Sequence, residues 1–158
     1  MNFRIELRGA VLISLLMLLW LSFECMVGLQ TDYIAYHPYV GMLSLLIPVF
    51  VTRQSLMAKR DELRYGFTFG KAFLSGSIIA VLAAAMAIPV QLAFHYFINP
   101  DFFDDMIAYA VNHGQDAHMA ASYFNLNSYL FQSVAATLVV GLIISAVAAF
   151  FMQVKTEK

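Results

Sequence analysis

The sequence predicts an all-α, polytopic membrane protein, in which residues 1–158 form a single domain of four transmembrane helices with an outer interfacial helix between the third and fourth. The first observation is composition, because 61% of the residues are hydrophobic and 12% are charged, whereas soluble domains are roughly 45–50% apolar and about 25% charged. The second is four long apolar runs, since a helix needs roughly 20 apolar residues to cross the hydrocarbon core. The third is the distribution of the nine Lys and Arg residues. All of them lie before the first run, between the second and third, or after the fourth, which predicts that both termini are cytoplasmic.

The first predicted span, about 9–29, has enough residues for roughly 31 Å of helix. Glu24 lies within it, and the six leucines from Leu12 to Leu21 offset the roughly 2.5–3.5 kcal/mol that a charged group costs at a helix centre. The alternative is a secretory signal with Arg4 and Arg8 as its positive region. No small-x-small cleavage site follows the apolar region, so we expect the segment to be retained.

The other three spans are predicted at about 37–53, 72–98 and 129–152. The second is short and contains Pro48, which removes one backbone donor. The third is long enough to tilt, and Pro89 is expected to bend it. The connection at 55–64 is expected to form a separate short amphipathic helix on the cytoplasmic side.

Small residues recur every four positions in the last two spans, which places them on one face of each helix. Lipid tails are as apolar as leucine, so membrane helices associate where small residues let the backbones approach. We expect the third and fourth helices to pack antiparallel along these faces, although a homodimer seam uses the same pattern. The two stripes are Ala72, Gly76, Ala80 and Ala84, and Ser133, Thr137, Gly141, Ser145 and Ala149.

The connection between the third and fourth spans carries its own helix signal at about 100–112. Asn99 is predicted to cap this helix and Pro100 to occupy its first position. Apolar residues from Phe102 onward fall near one face, which predicts an amphipathic helix on the outer membrane surface, ended by Gly114.

Glu24 is the residue most indicative of function, because an ionisable group inside a span is a functional hypothesis by default. His95 is expected at a similar depth, which permits a Glu24–His95 pair, and Gln91 one turn away is a second candidate partner. His37 is a candidate third member of this polar site. The alternative is structural: Glu24 hydrogen-bonds a neighbouring helix and fixes its rotation.

The chain carries no motif for catalysis, cofactor binding or metal binding. No Ser-His-Asp arrangement, phosphate-binding loop or paired catalytic carboxylates can be recognised, and His113 and His118 are poorly spaced for a metal. Cys25 is the only cysteine, which excludes an intrachain disulfide. We expect no enzymatic activity, no cofactor and no nucleic-acid partner, because the basic cluster is small and diluted by acidic residues.

Two segments resemble a bacterial membrane family known as domain of unknown function 4199. The first is Gly66-Phe67-Thr68-Phe69-Gly70-Lys71-Ala72-Phe73, and the second is Ile98-Asn99-Pro100-Asp101-Phe102-Phe103. The acidic residue late in the first span, Glu24, is a further likeness. The resemblance implies four spans in a bacterial cytoplasmic membrane, and it implies no activity.

Three functions from different classes follow. The small-residue stripes favour a non-enzymatic module that packs against itself or against another membrane protein. The alternative is a proton-linked small-molecule transporter that uses Glu24. A membrane enzyme that uses Glu24 and histidines is the least favoured.

Overall fold

The computed structural model describes residues 3–63 and 66–152, and every regular element in these ranges is helical. The α-helices are α1 (Arg4–Met26), α2 (His37–Gly41), α3 (Leu46–Leu63), α4 (Phe69–Ala93), α5 (Phe102–Asn112), α6 (Ala117–Tyr123) and α7 (Leu126–Met152). Short 3₁₀ helices at Ile34–Tyr36 and Met42–Leu45 flank α2, and a π-helix at Phe94–Ile98 extends α4.

Four stretches are long and apolar enough to cross a membrane, which confirms the predicted all-α, four-span architecture. They are Arg4–Met26, Ile34–Leu63, Phe69–Ile98 and Leu126–Met152. The second stretch is longer than predicted, because α3 continues without a break to Leu63. The separate amphipathic helix expected at 55–64 is therefore wrong as far as Leu63, and residue 64 lies outside the described residues. Pro48 lies in the first turn of α3, where a missing N–H is tolerated.

A Schellman motif ends α1 and turns the chain toward the second span. Gly28 has φ +74°, a left-handed conformation that glycine adopts without a Cβ penalty. The Leu29 N–H donates to the Glu24 carbonyl at 3.0 Å, and the Gly28 N–H donates to the Cys25 carbonyl at 3.1 Å. The turn lies just beyond Glu24, so it fixes the position of that residue at the end of the helix.

Helices α4 and α7 pack antiparallel, and their small-residue stripes face each other. A Cβ added at Gly76 would lie 2.7 Å from the Ser145 Cβ, and one added at Gly141 would lie 2.6 Å from the Ala80 Cβ. Ala72 packs in one cluster with Ala149. Because these pairs run in opposite directions along the two helices, the stripes form a close seam within the chain.

Helix α1 runs parallel to α4 and antiparallel to α3. Gly9 lies against both neighbours, since a Cβ added there would be 2.6 Å from the Ser55 Oγ and 3.4 Å from the Ile79 Cδ1. A cluster of buried residues from these three helices forms the centre of the bundle: Ala10, Ile13, Val51, Ile79 and Ala83. We call the end of the bundle that carries Arg4 and Lys71 the basic end, and the opposite end the α5 end.

The connection at the α5 end departs from the predicted capping. Helix α5 begins at Phe102 after Asp101, so the expected roles of Asn99 and Pro100 at its start are wrong. The Asn99 side chain instead donates to the Gln30 Oε1 at 2.8 Å, and both residues are buried. This tertiary hydrogen bond replaces the local cap.

Helix α5 uses its apolar face for packing on the protein. Its buried residues are Phe102, Met106 and Ala110, and the first two belong to a cluster with Ile34 and Phe94. α5 therefore covers one end of the bundle. Its position at the outer membrane surface stays a prediction.

Candidate functional site

A central cavity of about 280 Å³ lies between the four spans. Its walls are mostly apolar, with small side chains making room for it on α4 and α7. The lining residues are Ile13, Ser14, Met17 and Leu21 of α1; Ser44, Leu45 and Pro48 of the second span; Ala83, Ala87, Val90 and Gln91 of α4; and Ser133, Ala136, Thr137, Val140 and Gly141 of α7.

Some polar side chains in this lining are already hydrogen-bonded within the protein, whereas two are available to contact a bound molecule. The Ser14 hydroxyl donates to the Ala10 carbonyl at 2.9 Å, and the Gln91 Nε2 donates to the Ser133 Oγ at 2.7 Å. The Ser44 and Thr137 hydroxyls, in contrast, form no hydrogen bond among residues 3–63 and 66–152. The cavity is therefore mostly apolar with two available hydroxyl groups, and none of its described lining residues is charged.

Glu24 is buried at the α5 end of α1, beyond the cavity, with 2% of its surface exposed. Its Oε1 accepts a hydrogen bond of 2.7 Å from the Trp20 indole N–H one turn earlier. Its Oε2 lies 3.5 Å from the Nε2 of His37, whose side chain is 26% exposed. Glu24 thus joins α1 to the start of the second span, and only the His37 side of this pair reaches the surface.

Of the candidate partners of Glu24, the structure brings only His37 to it. Gln91 bonds to Ser133, and neither ring nitrogen of His95 has a hydrogen-bond partner in the described part of the chain. The expected Glu24–His95 pair is therefore wrong. The reason is the direction of the side chain: His95 lies in the π-helix Phe94–Ile98, and its ring contacts Phe103 of α5 and Tyr129 of α7 instead of Glu24.

His95 lies in an aromatic cluster instead. Its ring stacks on Phe103 with a centroid distance of 4.4 Å, and Phe102 and Tyr129 follow at 5.0 and 6.0 Å. Only 6% of His95 is exposed. Its two ring nitrogens are therefore buried without the hydrogen bonds that buried polar groups usually form. Histidine here acts as an aromatic packing residue that joins α4, α5 and α7.

A second buried charge cluster, which the sequence analysis missed, lies at the basic end. Glu6 is 0% exposed, and its Oε1 lies 3.2 Å from the Lys59 Nζ and accepts a hydrogen bond of 2.7 Å from the Ser75 Oγ. Lys59 is 3% exposed and also lies 3.5 Å from Glu62. The other oxygen of Glu6, Oε2, has no hydrogen-bond partner among the described residues. This cluster ties α1, α3 and α4 together.

The two buried glutamates lie on the same face of α1. Glu6 and Glu24 are separated by five full turns of an ideal helix, or roughly 27 Å. Between them, Ile13 and Met17 line the central cavity, and they follow Glu6 at about two and about three turns. The spacing of the two glutamates can be read from the sequence. Glu6 was nevertheless not recognised as a buried acid, because it lies between Arg4 and Arg8. The central cavity therefore has a buried glutamate with a basic partner toward each end.

Within residues 3–63 and 66–152, no group of three His, Cys, Asp or Glu side chains is placed to hold a metal ion. His113 is exposed, and its Nδ1 lies 2.8 Å from the Tyr109 carbonyl of the preceding turn.

Comparison with known protein families supports the resemblance carried by the two motif segments. A family model described as "Protein of unknown function (DUF4199)" matches residues 9–153. The chain belongs to this family. The match includes most of the first span and all of the other three, and neither the curated proteins nor the solved structures gave a match to the chain.

The family-motif residues have structural roles. Thr68 is the N-cap of α4, where its hydroxyl accepts from the Lys71 N–H at 3.4 Å. Ala72 is fully buried, Phe73 packs beside it, and Phe69 stacks on Phe73 at 6.0 Å. A Cβ added at Gly70 would meet nothing within 4 Å, so close packing does not explain this glycine. The motif residues therefore start α4 and hold it against α7 and α3.

Proposed function

We propose that this protein is a non-enzymatic membrane protein that binds a small, mostly apolar molecule in its central cavity and passes it across the bilayer, with Glu24 as the ionisable group. The observation that carries the proposal is the cavity between all four spans. The small-residue stripes, which favoured a module for partner binding, are used within the chain by α4 and α7. Because the stripes pack against each other within the chain, the cavity and the two acid–base pairs are the features on which a function can be based.

The size and lining of the cavity support a narrow class of molecule. An apolar cavity of about 150 Å³ is enough for benzene, and drug-sized ligands occupy about 300–1,000 Å³. At about 280 Å³, the site fits a molecule of roughly two fused rings. The Ser44 and Thr137 hydroxyls suit one hydrogen-bonding group on an otherwise apolar body.

The pair of Glu24 and His37 supports a route at the α5 end. Glu24 is held by Trp20 from its own helix and faces His37 of the second span. Where His37 carries a proton, protonation of the Glu24 carboxylate would remove the charge–charge attraction between the two side chains, which loosens the contact between the two spans. Passage linked to a proton follows if this contact must open before a molecule can leave the cavity.

Binding is tested by photolabelling in vesicles with phenyl(trifluoromethyl)diazirine, a small apolar reagent, and mapping of the adducts by mass spectrometry. We expect adducts on cavity residues such as Met17, and we expect Ala87→Phe to remove most of them by filling the space. The matched control is Ala85→Phe, because Ala85 lies on the exposed face of α4. Adducts confined to lipid-facing residues would contradict binding in the cavity and would return the partner-binding module to first place.

The role of Glu24 is tested separately, by carbodiimide labelling in native membranes with Glu24→Gln as the blank. We expect Glu24 to react, because opening of the contact with His37 exposes a protonated carboxyl to the reagent. An absence of labelling at every pH in the folded protein would mean that Glu24 is a structural hydrogen-bond acceptor. The binding proposal and the proton-linked proposal can therefore fail independently.

A further inference from the structure

Arg8 carries a charge within the first span that no acidic side chain neutralises. Its side chain is exposed, and it forms no hydrogen bond or ion pair with the described residues. The nearest acidic residue in sequence, Glu6, is two positions away and points to a direction roughly 160° different around the helix. Glu6 is already engaged by Lys59 and Ser75. No acidic side chain of the described residues therefore serves as the counter-ion of Arg8.

A cleft of about 270 Å³ lies beside Arg8, between α1 and α3. Its base is formed where Gly9 and Ser55 bring the two helices close together. Gln54 and Ser55 supply polar groups to the cleft, and neither forms a hydrogen bond among the described residues. Arg8, Gln54 and Ser55 thus offer a guanidinium, an amide and a hydroxyl from two adjacent helices.

The same cleft has apolar walls on the side nearer the bilayer centre. Leu12 lies one turn beyond Arg8 on α1, roughly 6 Å further into the span, and Val51 lies one turn before Ser55 on the antiparallel α3. Leu12 is 45% exposed. A ligand that fits this arrangement has an anionic group at the level of Arg8 and a hydrocarbon chain along the exposed Leu12.

We propose that this cleft is a binding site for an anionic phospholipid, with the lipid phosphate held by Arg8, Gln54 and Ser55. A guanidinium can bind two phosphate oxygens in a bidentate manner, and the other two groups can each donate one hydrogen bond. Basic pockets between transmembrane helices bind anionic head groups in the same way. Free phosphate satisfies the polar half alone, whereas a phospholipid also covers the exposed Leu12, so the structure favours the lipid.

The site is independent of the proposed function, because it lies on the lipid-facing side of α1 and α3 and shares no lining residue with the central cavity. A failure to find a ligand in the cavity would leave it unaffected.

The test is native mass spectrometry of protein released from vesicles of phosphatidylcholine that contain a minor fraction of phosphatidylglycerol. We expect the unaltered protein to retain one phosphatidylglycerol molecule. Arg8→Gln should lower this retention roughly 10- to 100-fold, the loss expected when a hydrogen-bonded charge pair is removed. The matched control is Arg53→Gln, since Arg53 is a second exposed basic residue near the cleft but does not line it.

A second variant tests the shape of the site without changing its charge. Ala58 lines the cleft and is exposed, so Ala58→Phe should reduce retention while Arg8 stays in place. Unchanged thermal unfolding in detergent shows that each variant is folded. An equal loss in Arg8→Gln and Arg53→Gln would mean diffuse attraction by basic residues and would overturn the site. Displacement of the lipid by millimolar inorganic phosphate would overturn the role of the acyl chain.

Discussion

Replacing Lys59 by methionine is expected to destabilise the protein by about 3–5 kcal/mol, because a buried charge loses its partner. Glu6 is 0% exposed and, among the described residues, would keep the Ser75 hydroxyl as its hydrogen-bond donor. Glu6→Gln should cost less, since Lys59 would still lie 3.5 Å from Glu62, a residue with 43% of its side chain exposed to water. The double variant Glu6→Gln/Lys59→Met should recover to within about 1 kcal/mol of the original protein, because it leaves neither member of this buried pair charged.

The assay is unfolding by SDS titration in mild-detergent micelles, followed by the fluorescence of Trp20, which is the only tryptophan. The four proteins form a double-mutant cycle, and the coupling energy between Glu6 and Lys59 should reach about 2 kcal/mol or more. Lys71→Met, which removes an exposed basic residue at the same end of the bundle, should cost less than about 0.5 kcal/mol. A loss below about 1 kcal/mol for Lys59→Met, or a double variant no more stable than that single variant, would refute this reasoning.

Three further predictions concern packing and buried polar groups. Gly141→Ala would place a methyl group 2.6 Å from the Ala80 Cβ, and it should destabilise the protein by about 1–3 kcal/mol in the same unfolding assay. Gly70→Ala is its control, because open space surrounds that position. His95→Phe removes two buried nitrogens without partners and should leave stability unchanged or raise it by up to about 3 kcal/mol; a clear loss would mean that the imidazole has a polar partner. Asn99→Ala leaves the buried Gln30 Oε1, in the connection between α1 and α2, without its hydrogen-bond donor. The free energy of unfolding should fall by about 1–3 kcal/mol, and hydrogen exchange in that connection should become faster.

The helix seam shows how much of the packing could be predicted. A four-residue repeat of small side chains specifies a face on α4 and a face on α7, since lipid gives helices little other reason to meet. The structure places these two faces together, with Gly76 against Ser145 and Gly141 against Ala80. The same repeat was equally compatible with a homodimer, so the choice of partner required the structure.

The polar residues show the limit of sequence reasoning. Similar depth made His95 a plausible partner of Glu24, yet in the π-helix that extends α4 its ring stacks on Phe103 instead. Glu6 was not predicted to be buried, because it lies among basic residues near the N-terminus. It is buried in the structure because Lys59 of α3 and Ser75 of α4 contact its carboxylate.

The sequence by itself determined the helical class, the number of spans and the family to which the chain belongs. These depend on the length of apolar runs and on short motifs, which are properties of one segment at a time. Only the tertiary structure decided that Glu24 meets His37, that Glu6 meets Lys59, and that a cavity lies between them. The physical reason is that such contacts depend on the relative rotation and register of separate helices, and each of these is set by the packing of the whole bundle.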